Sequence, residues 1–293
     1  MKSRSIPFET EADLVAAFVA DLRDQNERFA RLNAGCAPGQ RRKPIWTVYP
    51  ETAGWDLLLV DDAGVQIGVE AKPKLSLNAK VICQALPDHR WSDGEGPDYR
   101  AVLVPFDKVQ GHLHPIASAL GLTVLSVRRE EGYRNRVDVW ISPQTLPDEN
   151  GDSWGLCDWF SWLPAKRCAL PEYVPDVEGG KPCPVALTTW KIKAIKLLIL
   201  LERRGGVTRA DMKHLGISPT RWTDAYNGFL TPDATRGRYV RCTRTPDLRA
   251  QHPTNWQQIE ADFAKWAPAE LLTTTAPVDL FPANDTQPKE SAA

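Results

Sequence analysis

The sequence predicts an α/β protein, a mixed sheet flanked by helices, followed by a smaller α+β module. Three observations carry that prediction. Between residue 11 and about residue 141 the apolar spacing switches between helical and strand periods, in the order helix, strands, helix, strand, helix, strands. Inside that stretch, Gly54-Trp55-Asp56-Leu57-Leu58-Leu59-Val60 and Val65-Gln66-Ile67-Gly68-Val69-Glu70-Ala71-Lys72 flank the turn formers Asp61-Asp62-Ala63-Gly64, which reads as a β-hairpin. Charge is also unevenly divided. Residues 186–266 hold 14 Lys and Arg against 7 Asp and Glu, although the whole chain has a net charge of only −1, so a basic module follows an acidic one.

Composition narrows the function classes. With 293 residues, 42% apolar and 25% charged, the chain is long enough for one large or two small cores. It has no apolar run near the ~18 residues a membrane span needs, and its start, Met1 to Pro7, lacks an apolar signal region. Six cysteines (36, 83, 157, 168, 183, 242) show no CxxC spacing. Reduced thiols in a cytoplasmic protein are therefore expected, with no membrane partner.

The first helix is expected over 11–30, with Leu14, Val15, Phe18 and Leu22 as its apolar stripe and Thr10 with Asp13 as a capping box. Glu11 prolongs the inward stripe, either as a carboxylate aimed at a site or as an acid favoured by the helix dipole. A strand follows over 45–49, then Pro50-Glu51, where Glu51 is a second candidate acid on a loop. If Asp61 to Gly64 form the hairpin loop, Asp56 falls opposite Val69; one residue of slippage or a bulge sets it opposite Glu70. Glu70 and Lys72 share a face by strand alternation. After Pro73 a helix is expected over 75–86, with Leu77, Val81 and Ala85 as its buried stripe and Gln84 on that face, where a polar group needs a partner. Lys80, one turn earlier, can reach a phosphate or simply be solvated. Further elements are expected at 101–104 (strand), 109–120 (helix), 122–127 and 136–141 (strands).

Two carboxylates and an ammonium converging at one end of an apolar sheet make a poor structural motif, because desolvated like charges raise each other's pKa. A hard divalent cation resolves the conflict, since Mg²⁺ takes oxygen ligands from one or two carboxylates plus phosphate and water. An acid-x-Lys tripeptide alone says little: the chain has two, Glu70-Ala71-Lys72 and Asp211-Met212-Lys213. The second lies in a polar helical segment, whereas Glu70 ends an apolar strand preceded by a matching Asp.

Asp56 followed by Glu70-Ala71-Lys72 resembles the PD-(D/E)XK nuclease superfamily, of restriction-endonuclease-like fold, and most closely its small bacterial phosphodiesterase-type members. The resemblance spans about residues 9–143, and Trp55 stands where that family's first motif nominally has Pro. It implies Asp56, Glu70, Lys72 and Gln84 as catalytic residues. The metal ligands would be Asp56, Glu70 and the carbonyl of Ala71, with Glu11 or Glu51 added directly or through water. Mg²⁺ is the implied cofactor, with Mn²⁺ able to substitute.

Four segments are expected: 1–142 as the nuclease-like domain, 143–185 as a Pro- and Trp-rich ordered connector (Trp154, Trp159, Trp162), 186–267 as the basic module, and 268–293 as a disordered tail. In the basic module Thr189 is read as a helix cap and Gly205-Gly206 as the stop, Thr208 with Asp211 as a second capping box, and Ser218-Pro219 as the start of a third helix over 220–229. A basic strand then spans 239–244. Three helices followed by a basic hairpin resemble a winged helix, which implies Arg221 reading base edges and Arg238 and Arg241 on phosphates. Val278-Asp279-Leu280-Phe281 resembles the end of a sliding-clamp-binding peptide but lacks its leading Gln, so an isolated apolar cluster is the plainer reading.

The leading expectation is a metal-dependent nuclease hydrolysing phosphodiester bonds in double-stranded DNA, with Lys80, Arg221, Arg238 and Arg241 as nucleic-acid contacts. The alternative is a catalytically silent DNA-binding regulator or adaptor built on a nuclease fold. A homodimer is compatible with either.

Overall fold

The computed structural model describes residues 5–37, 40, 42–72, 79–86, 95–108, 114–131, 137–142, 146–147, 159–177, 179 and 187–272. The chain divides into two compact units, one formed by 1–195 with 247–256, the other by 196–246 with the residues from 257 on. Leu77, Trp154 and the Val278–Phe281 peptide lie outside the described residues.

In the first unit, helix α1 (Glu11–Ala34) begins where Thr10 accepts the Asp13 N–H at 3.0 Å. Asp13 does not close the box on Thr10; its carboxylate takes the Arg129 guanidinium at 2.7 and 3.0 Å instead. The helix runs four residues beyond the expected end. Its polar side supplies the reason: Asn26 and Asn33 each bond both the N–H and the C=O of one residue of the next segment, Trp46 and Lys43 respectively.

The strands are β1 (Trp46–Thr52), β2 (Trp55–Asp61), β3 (Gln66–Ala71), the two-residue β4 (Glu95–Gly96), β5 (Tyr99–Pro105), β6 (Thr123–Glu131), β7 (Val137–Ser142) and the two-residue β8 (Lys166–Arg167). Six of them form one mixed sheet in the order β1-β2-β3-β5-β6-β7. The first three pair antiparallel, β3-β5-β6 pair parallel, and β7 returns antiparallel. Helices α2 (Ala79–Ala85) and α3 (His114–Ala119) lie in the two crossovers between parallel strands. The α/β mixed-sheet expectation holds.

Alternation splits the sheet residues between two cores. Leu57, Leu59, Ile67, Val69, Leu103 and Leu125 pack with the α1 stripe; Leu58, Val60, Val102, Val104 and Val124 pack with Val81, Ile82 and Ala85 of α2 and Ala117 of α3. Strands covered on both faces read as continuous apolar runs, which is why β2 is Leu-Leu-Leu-Val at its centre. The described part of the connector is ordered on this unit. Gln66 reaches both backbone groups of Cys168, at 3.0 and 2.8 Å, and Trp159 meets Tyr99 edge-on with ring centroids 5.9 Å apart.

The hairpin register is the slipped one. Leu57 pairs with Val69 and Val60 with Gln66, and continuing that register sets Asp56 opposite Glu70 rather than Val69. Asp61 is the cause. It ends the strand instead of opening the loop: its N–H bonds Val65 O, and its carboxylate accepts the N–H of Ala63 and of Val65. Gly64 at φ +80° then closes a three-residue loop.

On β3, Gly68 lies under the Trp55 ring, and a Cβ there would come within 2.4 Å of it. Gly68→Ala is expected to cost about 1–3 kcal/mol by overpacking and to displace Trp55, the neighbour of Asp56. Chemical denaturation followed by Trp fluorescence checks this.

The second unit carries most of α4 (Thr189–Arg204), which is capped one residue earlier than expected, by the Thr188 hydroxyl on the Lys191 N–H at 3.3 Å, and stops before Gly205 at φ +66°. Helix α5 (Arg209–His214) opens with the full Thr208–Asp211 capping box. Strands β9 (Val207–Thr208), β10 (Leu230–Pro232) and β11 (Arg238–Arg241) form an antiparallel sheet in the order β10-β11-β9.

The third helix departs most from expectation: α6 (Pro219–Trp222) is a single turn instead of reaching 229. The Asp224 carboxylate explains the stop, because it accepts the N–H of Tyr226 and Asn227 and so offers the backbone a turn in place of a helix. The described residues end with α7 (Leu248–Gln251), α8 (Pro253–Ala261), α9 (Phe263–Trp266) and α10 (Ala269–Leu272), so a helical turn lies at the start of the expected tail. No helix among the described residues is long and apolar enough to cross a membrane.

Candidate active site

The carboxyl end of β3 gathers the charges. Lys72 Nζ lies 3.0 Å from Glu70 Oε1, 3.1 Å from Glu11 Oε2 and 3.5 Å from Asp56 Oδ2. Each partner arrives for a separate reason: Glu70 and Lys72 by alternation on β3, Asp56 by the slipped register, and Glu11 because the capped start of α1 carries it one turn before Leu14 and Val15. Asp56 is fixed further by the Ala71 N–H, 2.7 Å from Oδ2, and the Lys72 N–H holds the edge by bonding Leu103 O at 2.9 Å. All four side chains are a quarter exposed or less.

Three carboxylates around one ammonium carry a formal charge of −2 in a poorly solvated place. Burial, then the Asp56 charge, push the Glu70 and Glu11 carboxyls above the ordinary glutamate value in spite of Lys72. For Lys72 burial acts the other way, lowering the pKa, but the Asp56 and Glu70 charges outweigh it and hold the ammonium firmly protonated.

Glu51 is in β1 and half-buried rather than on a solvated loop. The β1–β2 register, running from Pro50 with Leu57 to Thr52 with Trp55, sets it opposite Asp56, and Glu51 has φ +49°. A left-handed glutamate costs about 1 kcal/mol or more, and this one sits just before the Ala53-Gly54 loop, both of whose residues also have positive φ.

Gln84 needs correcting. It is exposed, because the inner face of α2 is formed by Val81, Ile82 and Ala85, and Ile82 rotates that face away from position 84. Lys80 is exposed on the same helix. The second tripeptide is accounted for structurally: Asp211 is buried, caps α5 through Thr208 and pairs with Arg204 at 2.9 Å.

One residue that the sequence reading passed over stands behind the site. Arg100 is buried, its guanidinium 4.2 Å from the Trp162 ring and 6.0 Å from that of Trp55. Burial lowers its pKa. The signal was faint: a basic residue opening an apolar strand, with a distant Trp cluster to receive it.

Among the described residues no group of three or more His, Cys, Asp or Glu is arranged to hold a metal ion; the ammonium of Lys72 occupies the space between the three acids. The donor chemistry still suits a hard cation. Mg²⁺ asks for only one or two protein carboxylates and keeps several waters, and Asp56 and Glu70 supply two from facing strands.

In the basic unit Arg221 is exposed on α6, and Arg241 is exposed with Glu202 at 3.3 Å. Arg238, partly exposed, is already engaged within the unit. It donates to Arg204 O at 2.5 Å, lies 3.6 Å from Asp233, and occupies the space left by Gly206, where a Cβ would meet it at 2.1 Å. No protein-family model, curated protein or solved structure matches the chain.

Proposed function

We propose that the protein is a metal-dependent nuclease of the PD-(D/E)XK type, acting on phosphodiester bonds in nucleic acid. The observation that carries this reading is the convergence of Glu11, Asp56 and Glu70 on Lys72 at the carboxyl end of β3, in a mixed sheet whose first helix supplies one of the acids.

Asp56 and Glu70 would hold Mg²⁺, with Glu11 as the third acid within reach. The ion, when bound, polarises a phosphoryl oxygen and lowers the pKa of bound water. The chain's own work is positional. The Ala71 N–H orients Asp56, and burial keeps all three acids short of solvent, which strengthens their pull on a cation. The Lys72 ammonium is permanently charged and offers compensation for the negative charge that develops on the phosphoryl oxygens.

The finer reading of the second unit as a winged helix is supported by its order of helix, strand, two helices and two strands, with β11 central in the sheet. Its excess of basic residues suits phosphate binding. A catalytically silent regulator is the second reading, favoured by one observation: Lys72 already contacts all three acids and stands where an ion would.

The two are separated by incubating the purified full-length chain with supercoiled plasmid and with single-stranded DNA or RNA in Mg²⁺, Mn²⁺ or EDTA. The nuclease reading expects cleavage in either metal and none in EDTA. Intact substrates in all three would leave the silent regulator.

A further inference from the structure

The single turn of α6 spans only about 6 Å, too little to lay a reading face along a major groove. What the second unit presents next to it is a ring. Tyr226 is 85% exposed, the most exposed of the large apolar and aromatic side chains described, and its backbone is held from both sides. Asp224 Oδ1 accepts the N–H of Tyr226 at 3.0 Å and of Asn227 at 2.7 Å, and Asp224 O accepts the Gly228 N–H at 3.0 Å. The Asn227 and Tyr226 bonds keep the Asp224 carboxyl below its ordinary pKa.

Gly228 is packed so closely that a Cβ would lie 2.3 Å from Asp224 O. The ends of the loop are joined by Trp222 and Phe229, ring centroids 5.2 Å apart. Arg244 closes the far side, its Nε donating to Gly228 O at 2.8 Å, and Arg221 stands exposed on α6 before the loop. An exposed aromatic ring on a hydrogen-bonded turn, with Arg221 before it and Arg244 after it in the chain and a net charge of +7 over residues 186–266, matches a stacking platform for a nucleobase whose phosphates the arginines neutralise.

Resting on the nucleic-acid reading above, we infer that Tyr226 stacks on an unpaired base, so that the preferred ligand of this unit is a nucleic acid with an unstacked nucleotide rather than an uninterrupted duplex. Stacking tolerates any base, because every base has a π-face. The preference is therefore for structure over sequence. Arg221, previously expected to read base edges, becomes a phosphate contact beside the ring.

The test uses the full-length chain in EDTA at low salt, with a labelled continuous duplex and the same duplex carrying a one-nucleotide 2-aminopurine bulge. The parent is expected to bind the bulged duplex about tenfold more tightly and to quench its fluorescence. Tyr226→Ala loses the preference and the quenching while binding the continuous duplex as before, and Tyr226→Trp keeps both. The ring packs against nothing that folding needs, so the alanine variant folds. If Tyr226→Ala retains the preference and the quenching, the inference is overturned and the nucleic-acid reading stands. If the parent binds neither duplex, both fall together.

Discussion

Asp56→Ala, Glu70→Ala and Lys72→Ala are each expected to lower metal-dependent cleavage by about 10²–10³-fold or more, and any double variant to be little worse than the singles. The geometry is the reason. One oxygen of Asp56 takes the Ala71 N–H and lies within 3.5 Å of Lys72, which in turn contacts Glu70 and Glu11. Groups so interlocked act as one unit, and the cost of removing one already includes most of what the others do. Glu11→Gln is expected to be milder, since it leaves the facing Asp56–Glu70 pair intact. Single-turnover cleavage at saturating Mn²⁺ checks the series. Full activity in all three alanine variants would dismiss this site.

The second large effect is on stability without metal. Lys72→Met leaves Glu11, Asp56 and Glu70 mostly buried with no cation among them, and is expected to cost about 3 kcal/mol. Glu70→Gln is expected to do the opposite, neutral to mildly stabilising, because it removes one of three repelling acids while Lys72 keeps Asp56 and Glu11.

The pH dependence follows from the raised carboxyls. Below the ordinary glutamate value of 4.5 both folded and unfolded chains are protonated at Glu11 and Glu70, and these sites carry their full favourable contribution. That contribution is lost as pH rises through the higher folded-state values. Glu70→Gln should flatten this slope relative to the parent. Urea denaturation in EDTA at about pH 5 and about pH 8 reads it. A marked loss of stability in Glu70→Gln would instead make Glu70–Lys72 a structural ion pair.

How legible the site was depends on which force placed each residue. Glu70 and Lys72 followed from strand alternation alone, and Glu11 from helical spacing behind a Thr cap, so both were readable. The partner of Asp56 was not, because a one-residue register shift turns on a side chain: whether Asp61 belongs to the loop or caps it. Gln84 failed for a related reason, since Ile82 was left out of the stripe and seven helical residues leave little periodicity to average. The third helix was overextended because its apolar residues, Trp222 and Phe229, pack on each other across a turn as readily as along a helix face. Arg238 looked like a surface charge because nothing in the sequence announces that Gly206 leaves room for its stem.

One connection reaches past the site. His252 is fully buried in the first unit, its Nδ1 2.8 Å from Asp176 Oδ1, and Asp176 also accepts the Asn255 N–H at 3.0 Å while Asn255 accepts the Asp176 N–H at 2.9 Å. Residues 174–176 are thus fastened to a segment about 75 positions later, with nearly the whole basic module between them. During synthesis the first unit cannot complete its contacts until residue 256 has left the ribosome, and the intervening stretch must wait longer still for the residues from 257 on, among them Glu260 and Trp266, which Arg203 and His214 contact. The two units are therefore interleaved along the chain rather than strung like beads, and cutting it near 186 to obtain two separate domains would take from the first unit the piece that closes it.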